Sequence, residues 1–439
     1  MAVMKIYIRT FGCQMNEADT EIVKAVLKSH NFEFVEEVEA ADVVLLNTCS
    51  VRENANRKVF GYIHEIKRIN KTALMGVLGC MASDLKNNLI QDPKLKIDFI
   101  AGPDSYKKLP QIIEQVMEKD EKYGHFDLSE FETYEDIYPL RKQGVNAWVA
   151  IMRGCNNFCS YCIVPYTRGR ERSRSLQSVV REIEQLVADG YKQITLLGQN
   201  VNSYKYEDYN FVDLLKAVSD IKGLKRIRFV SPHPKDFSLD LIKLMAKREN
   251  ICNAIHLPLQ AGSTQVLKRM NRTYTKQEYL ELVNKIKKII PEIVINTDII
   301  VGFCGETEED FEDTLEVVKK VEFDSAYIFK YSVRSGTFAA KKYVDDVSEE
   351  VKTRRIVKLN AIQKRISLKK HKEQIGSIEE VLIERKGTKK SKTDWQGRDE
   401  GNRLVIFSDG NYNIGELVKV KIEEATANVV KGEGCEDIF

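Results

Sequence analysis

Three cysteines in one short loop constrain this chain more than any other feature of its sequence. Cys155, Cys159 and Cys162 stand at C-x3-C-x2-C spacing after an apolar run. Thiolates this close together can converge on one metal centre, and soft sulfur selects zinc, copper(I) or an iron–sulfur cluster. A structural zinc site normally needs a fourth protein ligand, and no second cysteine or histidine pair follows. Three thiolates on a cubane leave one iron open to a small molecule, whereas the alternative is three buried, inert cysteines.

Length and composition set the remaining bounds. The chain has 439 residues, which favours two to three domains, and 43% hydrophobic residues with a net charge of +3. No apolar run reaches the ~20 residues of a membrane span, and no secretory signal precedes the first predicted strand. We therefore expect no membrane association and a cytoplasmic location. Nine cysteines are too few for a disulfide scaffold and favour metal binding.

Residues 1–118 alternate short apolar strands with amphipathic helices, which predicts a parallel α/β domain. Cys13, Cys49 and Cys80 each come directly after a predicted strand. Because ligands bind at the carboxyl edge of such sheets, these three cysteines are expected to meet there. We interpret them as ligands of a second cluster with one open iron; three unrelated core thiols are the alternative.

The next segments predict a linker and a barrel. Residues 119–146 are charged and aromatic without a clear period, which is typical of a linker. Residues 147–373 contain six strand–helix units and a closing helix, which predict a partial (β/α)6 barrel. Chemistry is expected at the carboxyl ends of its strands, where the Cys155 loop follows the first strand.

Residues 374–439 change to short alternating runs separated by glycines, which predict a small antiparallel β-barrel. One connection is crowded with cations around an aromatic residue. A basic run alone is usually a solvated loop, but a basic loop that carries an aromatic on a small barrel indicates RNA binding. The predicted RNA-binding residues are Arg385, Lys386, Lys389, Lys390, Lys392, Trp395 and Arg398.

The loop from Ile151 to Tyr166 resembles the signature of radical S-adenosylmethionine (SAM) enzymes. The resemblance implies that SAM chelates the open iron and that one electron from the cluster generates a deoxyadenosyl radical. Polar residues at or near the carboxyl ends of the predicted barrel strands are then candidate SAM contacts, although each could equally serve a turn. These candidates are Tyr161, Gln199, Asn200, Ser231, Gln260, Asp298 and Tyr331.

The whole chain resembles the radical-SAM methylthiotransferases, with an N-terminal methylthiotransferase domain, a radical-SAM domain and a C-terminal TRAM domain. The resemblance rests on Gly12-Cys-Gln-Met-Asn16, Asn47-Thr-Cys-Ser-Val-Arg-Glu-Asn-Ala55, Gly79-Cys-Met-Ala82 and Pro165-Tyr-Thr-Arg-Gly169. Within the family, the motifs around Cys13 and Cys49 are most similar to the bacterial group that acts on tRNA isopentenyladenosine.

That resemblance implies two [4Fe–4S] clusters, two SAM molecules and methylthiolation of carbon 2 of the base next to the anticodon. One SAM would supply the methyl group and the other the radical. The implied partners are a tRNA anticodon stem-loop and a one-electron donor protein such as a flavodoxin, and we expect a monomer. No catalytic side chain beyond the six cysteines is assigned.

Three residues depart from the family pattern, since Cys304, Ser335 and Phe338 stand where relatives usually have proline. We expect Cys252, Cys304 and Cys435 not to be ligands. Two alternatives remain within the family: action on threonylcarbamoyladenosine in tRNA, or on an aspartate of a ribosomal protein. A radical-SAM enzyme that only methylates RNA would leave the second cysteine set without a role. From another class, the alternative is a non-catalytic, metal-stabilised RNA-binding protein.

Overall fold

A computed structural model describes residues 3–50, 53–119, 121–141, 144–389, 391–408 and 410–435, without the side chains of residues 53–57 and 87. The N-terminal domain contains six parallel strands: β1 (Lys5–Phe11), β2 (Glu33–Phe34), β3 (Val43–Thr48), β4 (Leu74–Gly79), β5 (Phe99–Ala101) and β6 (Tyr123–His125). Their order in the sheet is β2-β1-β3-β4-β5-β6. The predicted parallel α/β domain is therefore confirmed.

Four helices cover the two faces of this sheet: α1 (Gln14–Ser29), α2 (Glu53–Ile69), α3 (Cys80–Gln91) and α4 (Leu109–Lys119). Alternate residues of β3 join opposite cores, because successive strand side chains point to opposite faces. Val43 and Leu45 pack with α1 and α4, whereas Val44 and Leu46 pack with α2 and α3. This explains why the strand is a continuous apolar run, as expected for a sheet buried on both faces.

The segment predicted as a linker differs from expectation in one respect. Residues Tyr123–His125 pair in parallel with β5 and extend the sheet as its edge strand. Only three residues pair, and so short a strand cannot show an alternating pattern in the sequence.

The central domain has the six principal strands at the predicted positions: β7 (Asn146–Ala150), β10 (Gln193–Leu197), β13 (Arg226–Phe229), β14 (Ala254–His256), β15 (Val294–Val301) and β16 (Ser325–Lys330). They form two three-stranded parallel sheets, in the orders β7-β10-β13 and β14-β15-β16. Two short antiparallel pairs lie in the connections: β8 (Met152–Arg153) with β9 (Arg172–Ser173), and β11 (Lys205–Tyr206) with β12 (Tyr209–Asn210).

Most helices of this domain follow the strands as predicted, but the two short helices over 164–168 and 338–342 were not predicted. The helices are α5 (Val164–Arg168), α6 (Leu176–Ala188), α7 (Phe211–Ser219), α8 (Leu239–Lys247), α9 (Thr264–Arg269), α10 (Lys276–Ile289), α11 (Glu308–Val321), α12 (Phe338–Lys342) and α13 (Glu349–Lys372). Capping boxes fix the starts of α10 and α11, where Thr275 pairs with Glu278 and Thr307 with Asp310. None of the helices in these described ranges combines the length and apolar character needed to cross a membrane.

The C-terminal domain is a closed five-stranded barrel: β17 (Ile378–Lys386), β18 (Trp395–Arg398), β19 (Leu404–Phe407), β20 (Leu417–Ala425) and β21 (Val430–Gly434). The expectation of an antiparallel barrel is correct for every pair except β19 with β21, which is parallel. A ring of five strands cannot alternate direction throughout, so at least one neighbouring pair must run in parallel.

Two arginines of β13 attach this barrel to the central domain. Arg226 donates to the carbonyls of Arg398 and Glu380 at 2.8 and 2.6 Å, and Arg228 donates to those of Glu400 and Asp399 at 2.8 and 2.7 Å. These four bonds hold the barrel through its backbone, and Arg403 of the barrel adds a side-chain bond by donating to Oδ1 of Asp324 at 3.3 Å.

Candidate metal centres and the site between them

The three N-terminal cysteines lie together at the carboxyl edge of the sheet. Strand register aligns the positions before them, because Phe11 pairs with Thr48 and Thr48 with Gly79. Cys13 precedes α1, Cys49 follows β3, and Cys80 is the first residue of α3. Three cysteines distant in sequence are thereby brought to one end of adjacent strands.

Two glycines permit this close approach. A Cβ atom on Gly12 would lie 2.8 Å from Cβ of Cys49, and one on Gly79 would lie 2.5 Å from Oδ1 of Asn47. Gly79 also has φ +87°, a backbone conformation that residues other than glycine rarely adopt. Both positions therefore require glycine.

The thiols interact directly. A hydrogen bond between the Cys13 and Cys49 side chains, together with the charge of Arg168, lowers the pKa of the Cys13 thiol to about 6. Cys49 and Cys80 are buried, whereas Cys13 is exposed. Burial raises the pKa of Cys80, which the neighbouring charge of Arg168 opposes. Sulfur ligands bind as thiolates, so this charge favours metal binding.

The central cysteines lie in the loop after β8. Cys155 N–H donates to the Gly169 carbonyl at 3.1 Å, and Cys162 N–H donates to the Cys159 carbonyl at 2.9 Å. Gly154, at φ +76°, lets the loop pass the backbone of Arg170, where a Cβ atom would come within 2.0 Å of the carbonyl oxygen. Burial raises the pKa of Cys155 to about 11 and that of Cys162 to about 12. A bound metal would therefore have to displace these protons.

The donor chemistry of both sets fits an iron–sulfur cubane. Each set offers three cysteine side chains that form no disulfide within the described residues. Within the described part of the chain, no three His, Cys, Asp or Glu side chains are arranged around a single metal ion. Cubane ligands bind separate irons and so stand further apart than the ligands of one ion.

Five of the seven predicted SAM contacts come shortly after central strands, whereas Asp298 lies within β15 and Tyr161 lies in the cysteine loop. Ser231 and Gln260 follow β13 and β14 with φ +60° and +67°. Strained residues of this kind cluster at functional sites.

Asn200 is 1% exposed and donates to Asp236 at 2.9 Å. Its own Oδ1 and Oε1 of Gln199 have no hydrogen-bond partner among the described residues. These buried acceptors fit a polar ligand.

The remaining predicted SAM contacts have protein neighbours. Asp298 Oδ2 lies 3.2 Å from His256 Nε2. The Tyr161 ring meets the Phe303 ring edge to face at 6.3 Å, and the 4%-exposed Tyr331 also packs edge to face on Phe303, at 4.9 Å. Tyr161 and Tyr331 thus contribute to the packing of the central domain.

The predicted RNA-binding residues divide by exposure. Arg385, Lys386, Lys389 and Lys392 are exposed, Arg398 is half-buried and pairs with Glu384 at 3.3 Å, and Lys390 lies outside the described residues. Trp395 requires a correction. Its side chain lies in the barrel core, its Nε1 donates to the Gly410 carbonyl at 3.1 Å, and Lys386 covers its ring at 4.9 Å. This ring stabilises the barrel and is not available to stack on a base.

Sequence reasoning did not identify four charged residues beside the cysteines. Asp19 interacts with Arg153 and Arg168, Arg168 Nε donates to Cys80 Sγ at 3.1 Å, and Arg272 Nη1 donates to Cys159 Sγ at 3.5 Å. One signal was present: Asp19 stands on the apolar stripe of α1 formed with Ile22, Val23 and Val26. A carboxylate on a buried face requires a cationic partner.

Comparison with known proteins agrees with this architecture. Residues 149–318 match the radical SAM superfamily, residues 5–102 match the uncharacterized protein family UPF0004, and residues 372–434 match the TRAM domain. A solved radical S-adenosylmethionine methyltransferase, TsrM from Kitasatospora setae, is similar in fold at a TM-score of 0.58. It is 14% identical, over 77% of this chain and 74% of that one. These matches define a radical-SAM protein with a TRAM domain.

Curated relatives narrow this class. The tRNA-2-methylthio-N(6)-dimethylallyladenosine synthase of Porphyromonas gingivalis is 47% identical, over 98% of this chain and 95% of its own. The synthases of Azobacteroides pseudotrichonymphae and Prosthecochloris aestuarii are 47% and 46% identical over 98% and 99% of this chain, and over 97% and 98% of their own lengths. This chain belongs to the tRNA-2-methylthio-N(6)-dimethylallyladenosine synthase family.

Proposed function

We propose that this enzyme transfers a methylthio group to carbon 2 of isopentenyladenosine beside the anticodon of tRNA. The observation that carries this proposal is near-full-length identity of 45–47% to synthases named for that product. The presence of two separate cysteine triads, one in each of two domains, supports it.

The six cysteines are the proposed ligands of two [4Fe–4S] clusters: Cys13, Cys49 and Cys80 of the auxiliary cluster, and Cys155, Cys159 and Cys162 of the radical-SAM cluster. When bound, the clusters and SAM supply the radical and sulfur chemistry that no side-chain base could perform on an unactivated ring carbon. The protein contributes the positions of both sites.

Residues at the carboxyl edge of the central strands are proposed to bind and orient SAM. Unpartnered acceptors of Gln199 and Asn200 are placed to receive hydrogen bonds from a polar ligand, and Ser231 and Gln260 present strained backbone at the same edge. Tyr161, Asp298 and Tyr331 complete the proposed set. The buried amides would hold the ligand in one orientation because an unmade hydrogen bond there is costly.

Two exposed aromatic rings near the central cysteine loop are proposed to receive the target base. Tyr166, four residues after Cys162, is 42% exposed and edge-on to Phe158, and Phe338 is 47% exposed at the start of α12. That helix is attached to the loop, because Ala339 N–H donates to the Ser160 carbonyl at 2.7 Å. Bases unstacked from an anticodon loop bind such rings.

We further propose domain limits of 147–373 and 374–439, with the first domain extended beyond residue 118 to include the edge strand Tyr123–His125. A monomeric state, a cytoplasmic location and a one-electron donor such as a flavodoxin are also proposed. Exposed cations of the barrel, Arg385, Lys386, Lys389 and Lys392, would bind tRNA phosphates.

The test is anaerobic reconstitution with iron, sulfide, SAM, a reductant and isopentenylated tRNA, followed by mass analysis of nucleosides. The expected result is the 2-methylthio derivative of isopentenyladenosine. Product only from threonylcarbamoyladenosine tRNA, or only on a ribosomal protein, would overturn the substrate assignment. A product carrying a methyl group without sulfur would overturn the reaction.

A further inference from the structure

A buried chain of charges connects the two cysteine sets. The Asp19 side chain is fully buried, with Oδ1 2.8 Å from Nη2 of Arg153 and Oδ2 2.8 Å from Nη2 of Arg168. Arg153 lies two residues before Cys155, and Asp19 lies six residues after Cys13. The Tyr106 hydroxyl also donates to Oδ2 of Asp19, at 3.2 Å.

Arg168 reaches from this chain to a thiol of the N-terminal set. Its Nε donates to Cys80 Sγ at 3.1 Å, while the side chain is 4% exposed. Arg168 belongs to α5 of the central domain, so a residue of one domain contacts a proposed cluster ligand of the other.

The charges do not cancel within the chain of contacts. Two guanidinium groups face one carboxylate, and the nearby Asp104 is paired with Arg172 at 2.9 Å. Nε and Nη1 of Arg153 and Nη1 of Arg168 make no hydrogen bond in the described structure. An excess positive charge thus lies buried beside Cys80, where a thiolate or an anionic cluster would balance it.

We propose that Arg168, held in place by Asp19, is a positioning residue that sets the reduction potential of the auxiliary cluster through its hydrogen bond to the Cys80 sulfur. This rests on the proposed function, because it requires Cys13, Cys49 and Cys80 to be ligands. Hydrogen bonds and positive charge at cluster sulfurs stabilise the reduced, more negative state. Arg168 therefore raises the potential.

Measurement of this potential requires the auxiliary cluster alone. A parent variant with Cys155→Ala, Cys159→Ala and Cys162→Ala removes the other cluster, and iron analysis should then give about four irons per chain. Redox titration followed by electron paramagnetic resonance gives the potential and the line shape of the remaining cluster. Arg168→Gln in this background removes the charge and the Nε donor.

We expect Arg168→Gln to shift the potential to a more negative value and to change the line shape. Arg168→Lys, which keeps the charge but not the Nε donor, should give a smaller shift in the same direction. It also serves as the test if the glutamine variant fails to fold. The matched control is Arg272→Gln, because Arg272 contacts Cys159, and it should leave the potential of the auxiliary cluster unchanged.

The outcomes separate the two proposals. A parent variant that binds no iron would overturn the ligand assignment and this inference together. A parent with about four irons whose potential is changed by neither Arg168→Gln nor Arg168→Lys would overturn only the role of Arg168. An equal shift in the Arg272→Gln control would also contradict it.

Discussion

Nη2 of Arg153 lies 2.8 Å from Oδ1 of Asp19, and this contact joins the loop that begins at Cys155 to the helix that begins after Cys13. Both side chains are almost completely buried. The two cysteine sets are therefore held relative to each other by a short, fixed connection. Such rigidity suits a reaction that must act on one base from two centres.

The first prediction concerns Asp19. Asp19→Asn should lower the free energy of unfolding by about 3–5 kcal/mol, because it leaves two buried guanidinium groups without a counterion. Urea denaturation followed by circular dichroism measures this decrease. Asp136→Asn is the matched control. Asp136 pairs with Lys107 at 2.8 Å with its side chain 64% exposed, and surface pairs of this kind contribute about 0–1 kcal/mol. Equal decreases in both variants would contradict the account of the buried cluster.

The second prediction separates the roles of the cysteine sets. Replacing Cys13, Cys49 and Cys80 together by Ala should abolish sulfur insertion and leave reductive cleavage of SAM to deoxyadenosine measurable by chromatography. The reason is that the proposed radical-generating site lies in the other set. Cys252→Ala is the control, since Cys252 is buried beside Arg228 and is not a proposed ligand. Loss of both activities in the triple variant would argue against this division.

The third prediction concerns the barrel. Lys389→Ala combined with Lys392→Ala should weaken tRNA binding and reduce the slope of log affinity against log salt by roughly 1 for each phosphate that is no longer neutralised. Filter binding over a range of salt concentrations measures the slope. Lys421→Ala is the control, because Lys421 pairs with Ile378 at the opposite end of β17. A slope that changes only in the control would place the RNA on another face.

The fourth prediction is a pH dependence at His233. Burial, together with the charges of Arg272 and Lys235, lowers the pKa of this imidazole to about 2, and Nδ1 accepts from Lys235 N–H at 3.2 Å. In the unfolded chain this imidazole binds a proton at its ordinary pKa of about 6.5. The contribution of neutral His233 to the free energy of unfolding is therefore fully present above that pH and decreases below it. The decrease approaches about 1.4 kcal/mol per pH unit. Urea midpoints between pH 7 and 5 should fall less steeply in His233→Gln than in the parent.

Local patterns were sufficient to place most of the fold. The apolar run Val43–Leu46 and the strand–helix alternation predicted the sheet, and strand ends predicted where Cys13, Cys49 and Cys80 would lie. Contacts between domains could not be predicted in this way. Arg168 Nε donates to Cys80 Sγ although the two residues are 88 positions apart in the sequence. Local periodicity gives no information on contacts between residues so far apart in the chain. For Trp395 the local pattern was misleading. The basic loop suggested an exposed ring, whereas closure of the C-terminal barrel buries that ring in its core.

Iron content tests the central claim most directly. Anaerobically reconstituted enzyme should contain about eight irons per chain, and Ala replacement of either cysteine triad should reduce this to about four, with the remaining cluster visible by electron paramagnetic resonance. Tightly bound zinc without visible absorption, or an iron content that does not change when Cys13, Cys49 and Cys80 are replaced, would contradict the account.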